Sequence, residues 1–384
     1  MTILTKTTES VAKSRSEVRR EERKRRKASR NKGQGSNEKG SSGAPQKGKI
    51  REWLDAMVFA IVVMVILRTL FFDLFRIPSP SMEKNLLVGD YLFVSKLHYG
   101  TRTPMTLGVP FTEIYLPGLT FPHTRFPGFT EVKRGDAIVF NWPDDDVEVI
   151  ERRMHYIKRV VGLPGETISI EDKLVKVDGE SIPLMEGMQQ YWNVTKTDPR
   201  VQLNRSALEE IGISDVIQTA DPAVVRLIAT EISAEIIANW PWVDQVVPAV
   251  AAPNSVYDAA MYPAGRGWTP DNYGPVTIPG EGITVPLTSE NWSIYERVIS
   301  RFEGHDTGLA ADGRFLIDGQ PTTEYTFSQN YYFAMGDNRD NSEDSRFWGF
   351  VPMDHVVGKA LLVYFSWNKE GMLPRFGRLF SLID

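Results

Sequence analysis

The 384-residue chain contains no cysteine, so neither thiol catalysis nor a disulfide framework can serve it. Histidine is scarce: the five are His98, His123, His155, His305 and His355, none in a local serine-hydrolase signature, and no G-x-S-x-G pattern surrounds Ser81. A Ser-His-Asp triad is defined by geometry rather than chain order, so it is left unsupported rather than excluded. A second long apolar run and any repeat period are also missing. The acidic stretch 337–346 lacks the ligands of a calcium loop. A register from Asp337 puts Arg339 on the third position, and one from Asp340 puts Ser345 where glycine is needed and Val351 where glutamate is needed.

What is present is unevenly placed. Residues 1–51 hold 16 Lys or Arg against 5 Glu, a net of +11, which leaves 28 basic and 44 acidic residues in 52–384, a net of −16. A basic arm such as 19–32 suits nucleic acid when it stands alone. Here it precedes an apolar segment, which makes it a cytoplasmic tail under the positive-inside rule, with no nucleic-acid partner expected. Residues 33–49, rich in Gly, Ser and Lys, read as a flexible linker.

The apolar segment spans 53–75 with an unbroken core at 56–67. A helix over 56–72 reaches about 25 Å, a short anchor if Arg68 snorkels outward. A cleaved leader does not fit a basic region of this length without an A-x-A exit; a buried amphipathic helix is the alternative. Beyond it, strands are expected at 91–95, 136–140, 156–161, 167–177 with a turn at Asp172-Lys173, and 356–365. The fold class is therefore a mainly β catalytic domain behind a single N-terminal transmembrane helix, interrupted by an α/β insertion.

The expected division is a tail and linker at 1–51, an anchor at 52–75, core at 76–187, insertion at 188–314 and core again at 315–384. The Pro-, Gly- and aromatic-rich stretch 103–129 would be a long loop, either at the membrane surface or packed on the core. In the insertion, Ser206 and Glu209 have capping-box spacing. Asp221-Pro222 is expected to start a helix with Val225, Ile228, Ile232 and Ile236 on one apolar face, ending at Asn239-Trp240-Pro241. Core packing explains that face better than partner binding, with a substrate-guiding cap as the open alternative.

Residues 77–96 read IPSPSMEKNLLVGDYLFVSK. Alone, a serine beside proline is a turn residue. A serine becomes a nucleophile when a neighbouring base takes its proton, and a lysine serves only when neutral. Its ordinary pKa near 10.4 must then be lowered by burial. The stretch HYIKRVVGLPGE (155–166) fits that demand, since strand alternation puts Lys158 with Tyr156 on one face and Ile157 with Arg159 on the other. The competing reading is a surface lysine on an edge strand. Pro80 has no N–H and extends Ser79, which leaves the Ser81 amide and the Ser79 hydroxyl as donors for an oxyanion.

Together with EVKRGDAIVFNWP (131–143) and GDNRDNSEDSRFWGFVP (336–352), these blocks resemble the type I signal peptidases, or leader peptidases, in order and spacing. The resemblance covers roughly 53–187 and 315–365 and is looser between. It implies a membrane-anchored Ser-Lys endopeptidase without a cofactor or metal, which removes signal peptides from secretory preproteins on the outer side of the bacterial inner membrane. Ser81 would be the nucleophile and Lys158 the general base. Ser79 and Ser81 would form the oxyanion site, Ser342 would hydrogen-bond the lysine amine, and Asp344 with Arg346 would make a supporting ion pair.

The resemblance also implies that Phe75, Ile77, Met82, Leu86, Tyr156 and Ile157 line shallow pockets for small side chains before the cut, with membrane lipid as the second partner. The chain departs from many relatives at Pro80, where they have glycine, and at Lys84-Asn85, where they have Pro-Thr. The alternative function is a noncatalytic membrane-anchored binding or scaffold protein that uses the insertion as its contact surface. A soluble self-cleaving Ser-Lys regulator conflicts with the anchor.

Overall fold

The structure is a computed structural model that describes residues 23, 49–108, 115–145, 147, 149–253, 256–368 and 371–383. Nearly all of the basic tail and the linker expected at 33–49 lie outside the described residues.

The apolar segment forms a 22-residue helix, Lys49–Leu70. Its Ile50–Leu70 part, with a mean hydropathy of 2.1, rises about 32 Å, enough to cross a hydrocarbon layer. The helix expected over 56–72 stops short of Phe72. It ends at Leu70 because the following residues find partners in a sheet: Phe72–Arg76 is a strand paired antiparallel with Asp90–Ser95, from Phe72 opposite Ser95 to Arg76 opposite Tyr91. The helix end is closed chemically as well. The Lys96 ammonium donates to the Arg68 carbonyl at 2.9 Å and the Thr101 hydroxyl to the Leu70 carbonyl, satisfying last-turn acceptors that have no partner within the helix. Arg68 pairs with Asp73 at 2.5 Å, so its charge is answered by the first strand.

The main sheet runs Phe72–Arg76, Asp90–Ser95, Val356–Asn368, Ala137–Asn141, His155–Gly162, Tyr331–Met335 and Val351–Pro352, with two short C-terminal strands also paired to Val356–Asn368. Each of these pairings is antiparallel. Both faces of its centre are buried, as side chains of period two require when each face has a core. Ile138 and Phe140 pack with Val160, Tyr332, Trp348 and Val356; Ala137 and Val139 pack with Ile77, Met82, Leu86, Leu92 and Val363. The second cluster presses the serine-bearing segment 77–86 onto the sheet.

The expected strand pair at 167–177 is a hairpin, Thr167–Glu171 and Leu174–Val177, turning through Asp172 and Lys173 at φ 46° and 73°. Positive φ at two successive turn residues is the type I′ signature.

The insertion divides in two. Strands Gln189–Lys196, Val216–Gln218, Val224–Thr230 and Val243–Pro248 make a separate four-stranded sheet with its own core of Val194, Leu208, Ile213, Val225, Leu227, Ala229 and Ile237. Downstream, Tyr273–Thr277 pairs with Thr167–Glu171, and Tyr273, Val276, Ile278, Ile294 and Val298 share a core with Val161, Ile168, Phe333 and Met335. The helix expected from Pro222 is not there: Val224–Thr230 is strand, and the helix Glu231–Ala238 begins only after Thr230, whose hydroxyl accepts from the Ser233 amide. Nor does Ser206 cap a helix; Asn204 does, accepting from the Ala207 amide before Arg205–Glu210.

Candidate active site

Ser81 lies in the turn that follows Phe72–Arg76, and two long-range contacts hold that turn. The Ile77 amide donates to Asp90 and the Gly89 amide returns to Ile77. From the other end of the chain, the Asn338 amide donates to the Ser81 carbonyl at 3.0 Å and its side-chain amide to the Pro80 carbonyl at 3.2 Å. Asn338 belongs to the loop leaving Tyr331–Met335, the strand next to the one that carries Lys158. Sheet order thus brings together two segments 77 residues apart: Lys158 Nζ is 2.8 Å from Ser81 Oγ.

The close packing depends on Gly336. A Cβ there would stand 2.2 Å from Ser342 Oγ and 2.5 Å from the Ser81 carbonyl oxygen, closer than any side chain is tolerated.

Both side chains are enclosed, Lys158 at 4% exposure and Ser81 at 8%. The lysine ammonium lies 5.4 Å from the centroid of the Tyr156 ring, and Ile138 stands opposite Lys158 across the strand pair. Burial among these groups drives the Lys158 amine down to about 8, against the opposing pull of the Asp344 and Glu343 carboxylates. Desolvation wins because it penalises only the charged form.

Ser79 Oγ is 3.4 Å from Ser81 Oγ, and the Ser81 amide has no hydrogen-bond partner among the described residues. One cleft of about 420 Å³ joins these groups; Phe75, Ile77, Met82, Tyr156 and Ile157 line it together with Ser79, Ser81 and Lys158. No histidine hydrogen-bonds Ser81 among the described residues. His155 borders the cleft, but its Nε2 faces Asn141 at 3.3 Å.

Two expected positions differ. Leu86 does not line the cleft; at 1% exposure it packs with Met82, Leu92 and Val139 in the core beneath. The Leu86 amide bonds back to the Met82 carbonyl at 2.7 Å, which winds the turn inward and away from the cleft. Ser342 does not bond the lysine amine. Its buried hydroxyl has no partner among the described residues, while the amine gives its hydrogen bond to Ser81. Asp344 and Arg346 do pair, with both carboxylate oxygens taking guanidinium donors at 2.8 Å. Burial opposes ionisation of Asp344, but Arg346 and the Gly336 amide outweigh it and hold the carboxyl below the usual range.

Sequence reasoning passed over a second buried pair. Arg159 donates through Nε and Nη2 to the two oxygens of Asp337, each at 2.8 Å, and Asn85 donates to the same carboxylate at 2.8 Å. The signal was available in the strand alternation, which turns Arg159 away from Lys158 into an interior that demands a carboxylate.

An antiparallel β core thus holds a buried lysine against a serine hydroxyl. Comparison with known proteins narrows the class. The chain belongs to the signal peptidase family, peptidase S26, whose family model matches residues 50–219 and 276–367. It is 25% identical over 319 residues to signal peptidase I of Buchnera aphidicola from Schizaphis graminum, covering 83% of this chain and 75% of the relative. Signal peptidase I of Haemophilus influenzae is 26% identical over 338 residues, with 86% and 75% covered. That of Aquifex aeolicus is 24% identical over 326 residues, with 85% and 88% covered. A solved signal peptidase I from Enterococcus faecalis matches 60% of this chain and 97% of its own at 16% identity and a TM-score of 0.22, too distant a superposition to bear on the fold.

Proposed function

We propose that the chain is a membrane-anchored Ser-Lys endopeptidase that cuts signal peptides from secretory preproteins. The observation that carries this reading is the 2.8 Å contact of Lys158 with Ser81 inside a site that lowers the lysine to about 8. At pH 7 such an amine is neutral in roughly 10% of molecules, against about 0.04% for an ordinary lysine. Neutral Lys158 takes the Ser81 proton as Oγ attacks the scissile carbonyl. The Ser81 amide and Ser79 hydroxyl face the negative charge that forms on the oxygen. The ammonium then returns the proton to the leaving amine, and water, deprotonated by the same lysine, releases the acyl group from Ser81.

This assignment sets the pH dependence. The productive form of Lys158 is the deprotonated one, so kcat/KM is expected to rise tenfold per pH unit below about 8 and to level off above it. A rate that is flat between pH 6 and 9 would reject Lys158 as the base.

The apolar cleft supports a preference for small side chains. Incubating the detergent-purified chain with a preprotein carrying Ala-x-Ala should give a new N-terminus directly after that site. Leucine or phenylalanine just before the cut should lower kcat/KM about a hundredfold through overlap with the cleft wall. A large residue one position earlier, directed to solvent by alternation in an extended peptide, should be tolerated. Equal cleavage after alanine and phenylalanine would refute the specificity, and no cleavage at all would favour the scaffold alternative.

The helix Lys49–Leu70 with the basic tail before it supports an inner-membrane anchor with the N-terminus in the cytoplasm. The stretch 103–129 is not the long loop expected but holds a strand pair, Thr106–Gly108 with Tyr115–Thr120, and its exposed Leu116, Leu119, Phe121, Phe126 and Phe129 support lipid contact on the catalytic side. In spheroplasts, external protease should digest a tag placed after Asp384 and spare the tail; the reverse pattern would overturn the orientation.

A further inference from the structure

The insertion reaches the serine turn by two routes. The first is backbone: Gln189, which opens the insertion strand Gln189–Lys196, donates its amide to the Asp337 carbonyl and accepts from the Arg339 amide, each at 2.9 Å. Asn338, between those two residues, holds the Pro80 and Ser81 carbonyls. The second is a side chain, because the Lys84 ammonium donates to the Gly212 carbonyl just past the insertion helix Arg205–Glu210. We propose that Lys84 is a positioning residue for Ser81, and that the insertion seats the serine turn through it.

Lys84 stands at the corner of that turn. The Glu83 amide bonds the Pro80 carbonyl at 2.9 Å and the Leu86 amide bonds the Met82 carbonyl at 2.7 Å, so the chain from Pro80 to Leu86 is tightly wound. It passes through a left-handed residue, Lys84 at φ 79°. A residue with a Cβ is disfavoured there, and such a corner persists where its surroundings hold it. Proline, which many relatives carry at this position, has φ fixed at about −65° and could not form it.

The surroundings grip the corner from both sides. Gly212 is itself left-handed at φ 79°, as residues ending a helix often are. Carbonyls at a helix C-terminus lack partners within the helix and favour a cation. The contact is close, for a Cβ on Gly212 would stand 3.3 Å from Lys84 Nζ. Asn85, the next residue, donates to Asp337 at 2.8 Å, and its carbonyl accepts from Arg378 at 2.8 Å. Asn85 is thus fixed by the core and the C-terminal segment, whereas half-buried Lys84 is fixed by the insertion.

This corner lies three residues after Ser81, whose hydroxyl must stay within hydrogen-bond reach of Lys158. Without the ammonium's bond the corner relaxes toward negative φ and shifts the serine, and a displacement of about 1 Å is enough to slow a reaction strongly. The catalytic consequence rests on the proposed peptidase activity; the tether itself does not.

The test compares full-length wild type, Lys84→Met and Lys84→Arg in detergent, on a peptide with an Ala-x-Ala site. Methionine keeps most of the stem without a donor, and arginine keeps a charged donor. Lys84→Met should lower kcat about tenfold with KM and the pH–rate midpoint unchanged, while Lys84→Arg stays within about twofold of wild type. Hydrogen exchange over 79–90 should be about tenfold faster in Lys84→Met than in the other two, with the core strand Ala137–Asn141 alike in all three.

A wild-type kcat in Lys84→Met, or an equal loss in both variants, would overturn the proposal. So would a shifted midpoint, because Lys84 would then act through its charge on the base and not through position. If wild type cleaved nothing, the peptidase reading would fall and exchange would still decide the tether, equal rates over 79–90 in all three proteins overturning it.

Discussion

Ser81→Ala and Lys158→Ala should each lower kcat/KM by about a thousandfold or more, and the double variant should be little worse than either. The reason is their dependence on one another. With Lys158 absent the Ser81 hydroxyl keeps its proton, and with Ser81 absent the amine 2.8 Å away has nothing to activate, so the two losses overlap. Lys158→Arg should fail as well, because a guanidinium remains protonated and its bulk does not fit a site with 4% exposure. Substantial turnover by either alanine variant would mean that the catalytic groups lie elsewhere.

Stability supplies the control that separates lost chemistry from lost folding. An amine that titrates near 8 when folded and near 10.5 when unfolded opposes folding by about 3 kcal/mol at neutral pH. The folded pKa is the lower one, so the penalty is complete below about pH 8, shrinks between 8 and 10.5 and vanishes above. Lys158→Met should accordingly be inactive yet more heat-resistant than wild type at pH 7, and the gain should fade toward pH 10.5. A less stable methionine variant would show that the ammonium is solvated rather than buried.

The local periodicities explain what was legible. Alternation through 155–161 correctly separated Lys158 and Tyr156 from Ile157 and Arg159, and strand pairing repeats that division, with Ile138 opposite Lys158 and Val139 opposite Ile157. Serine-rich and acidic blocks marked two of the segments that meet around Ser81 and Lys158. The insertion misled because its apolar residues satisfy two periods at once. Val225, Ile228, Ile232 and Ile236 fit a helix, but the buried residues are Val225, Leu227 and Ala229, a strand set, and Ile232 and Ile236 end at 61% and 42% exposure.

Leu86 and Ser342 were misjudged for a different reason. Whether a residue near Ser81 lines a cleft or the core, or which buried group a hydroxyl meets, depends on how segments far apart in the chain pack together.

The Arg159–Asp337 pair is the clearest long-range case, because its partners are separated by 178 positions and meet only after the two strands have paired. It also carries a large expected effect. Both side chains are nearly sealed from water, at 3% and 0% exposure, so either Asp337→Leu or Arg159→Met leaves one buried charge without its counterion. Each single variant should lose about 3–5 kcal/mol of stability, whereas the double variant, with apolar groups of similar volume on both sides, should recover most of it.

The pair also bears on Lys158, the proposed base, since the Asp337 charge favours its protonated form. Asp337→Asn should therefore move the pH–rate midpoint to more acid values even where it weakens the fold. Additive losses in the double variant, or an unmoved midpoint in Asp337→Asn, would reduce the pair to two independently solvated groups and separate it from the chemistry at Ser81.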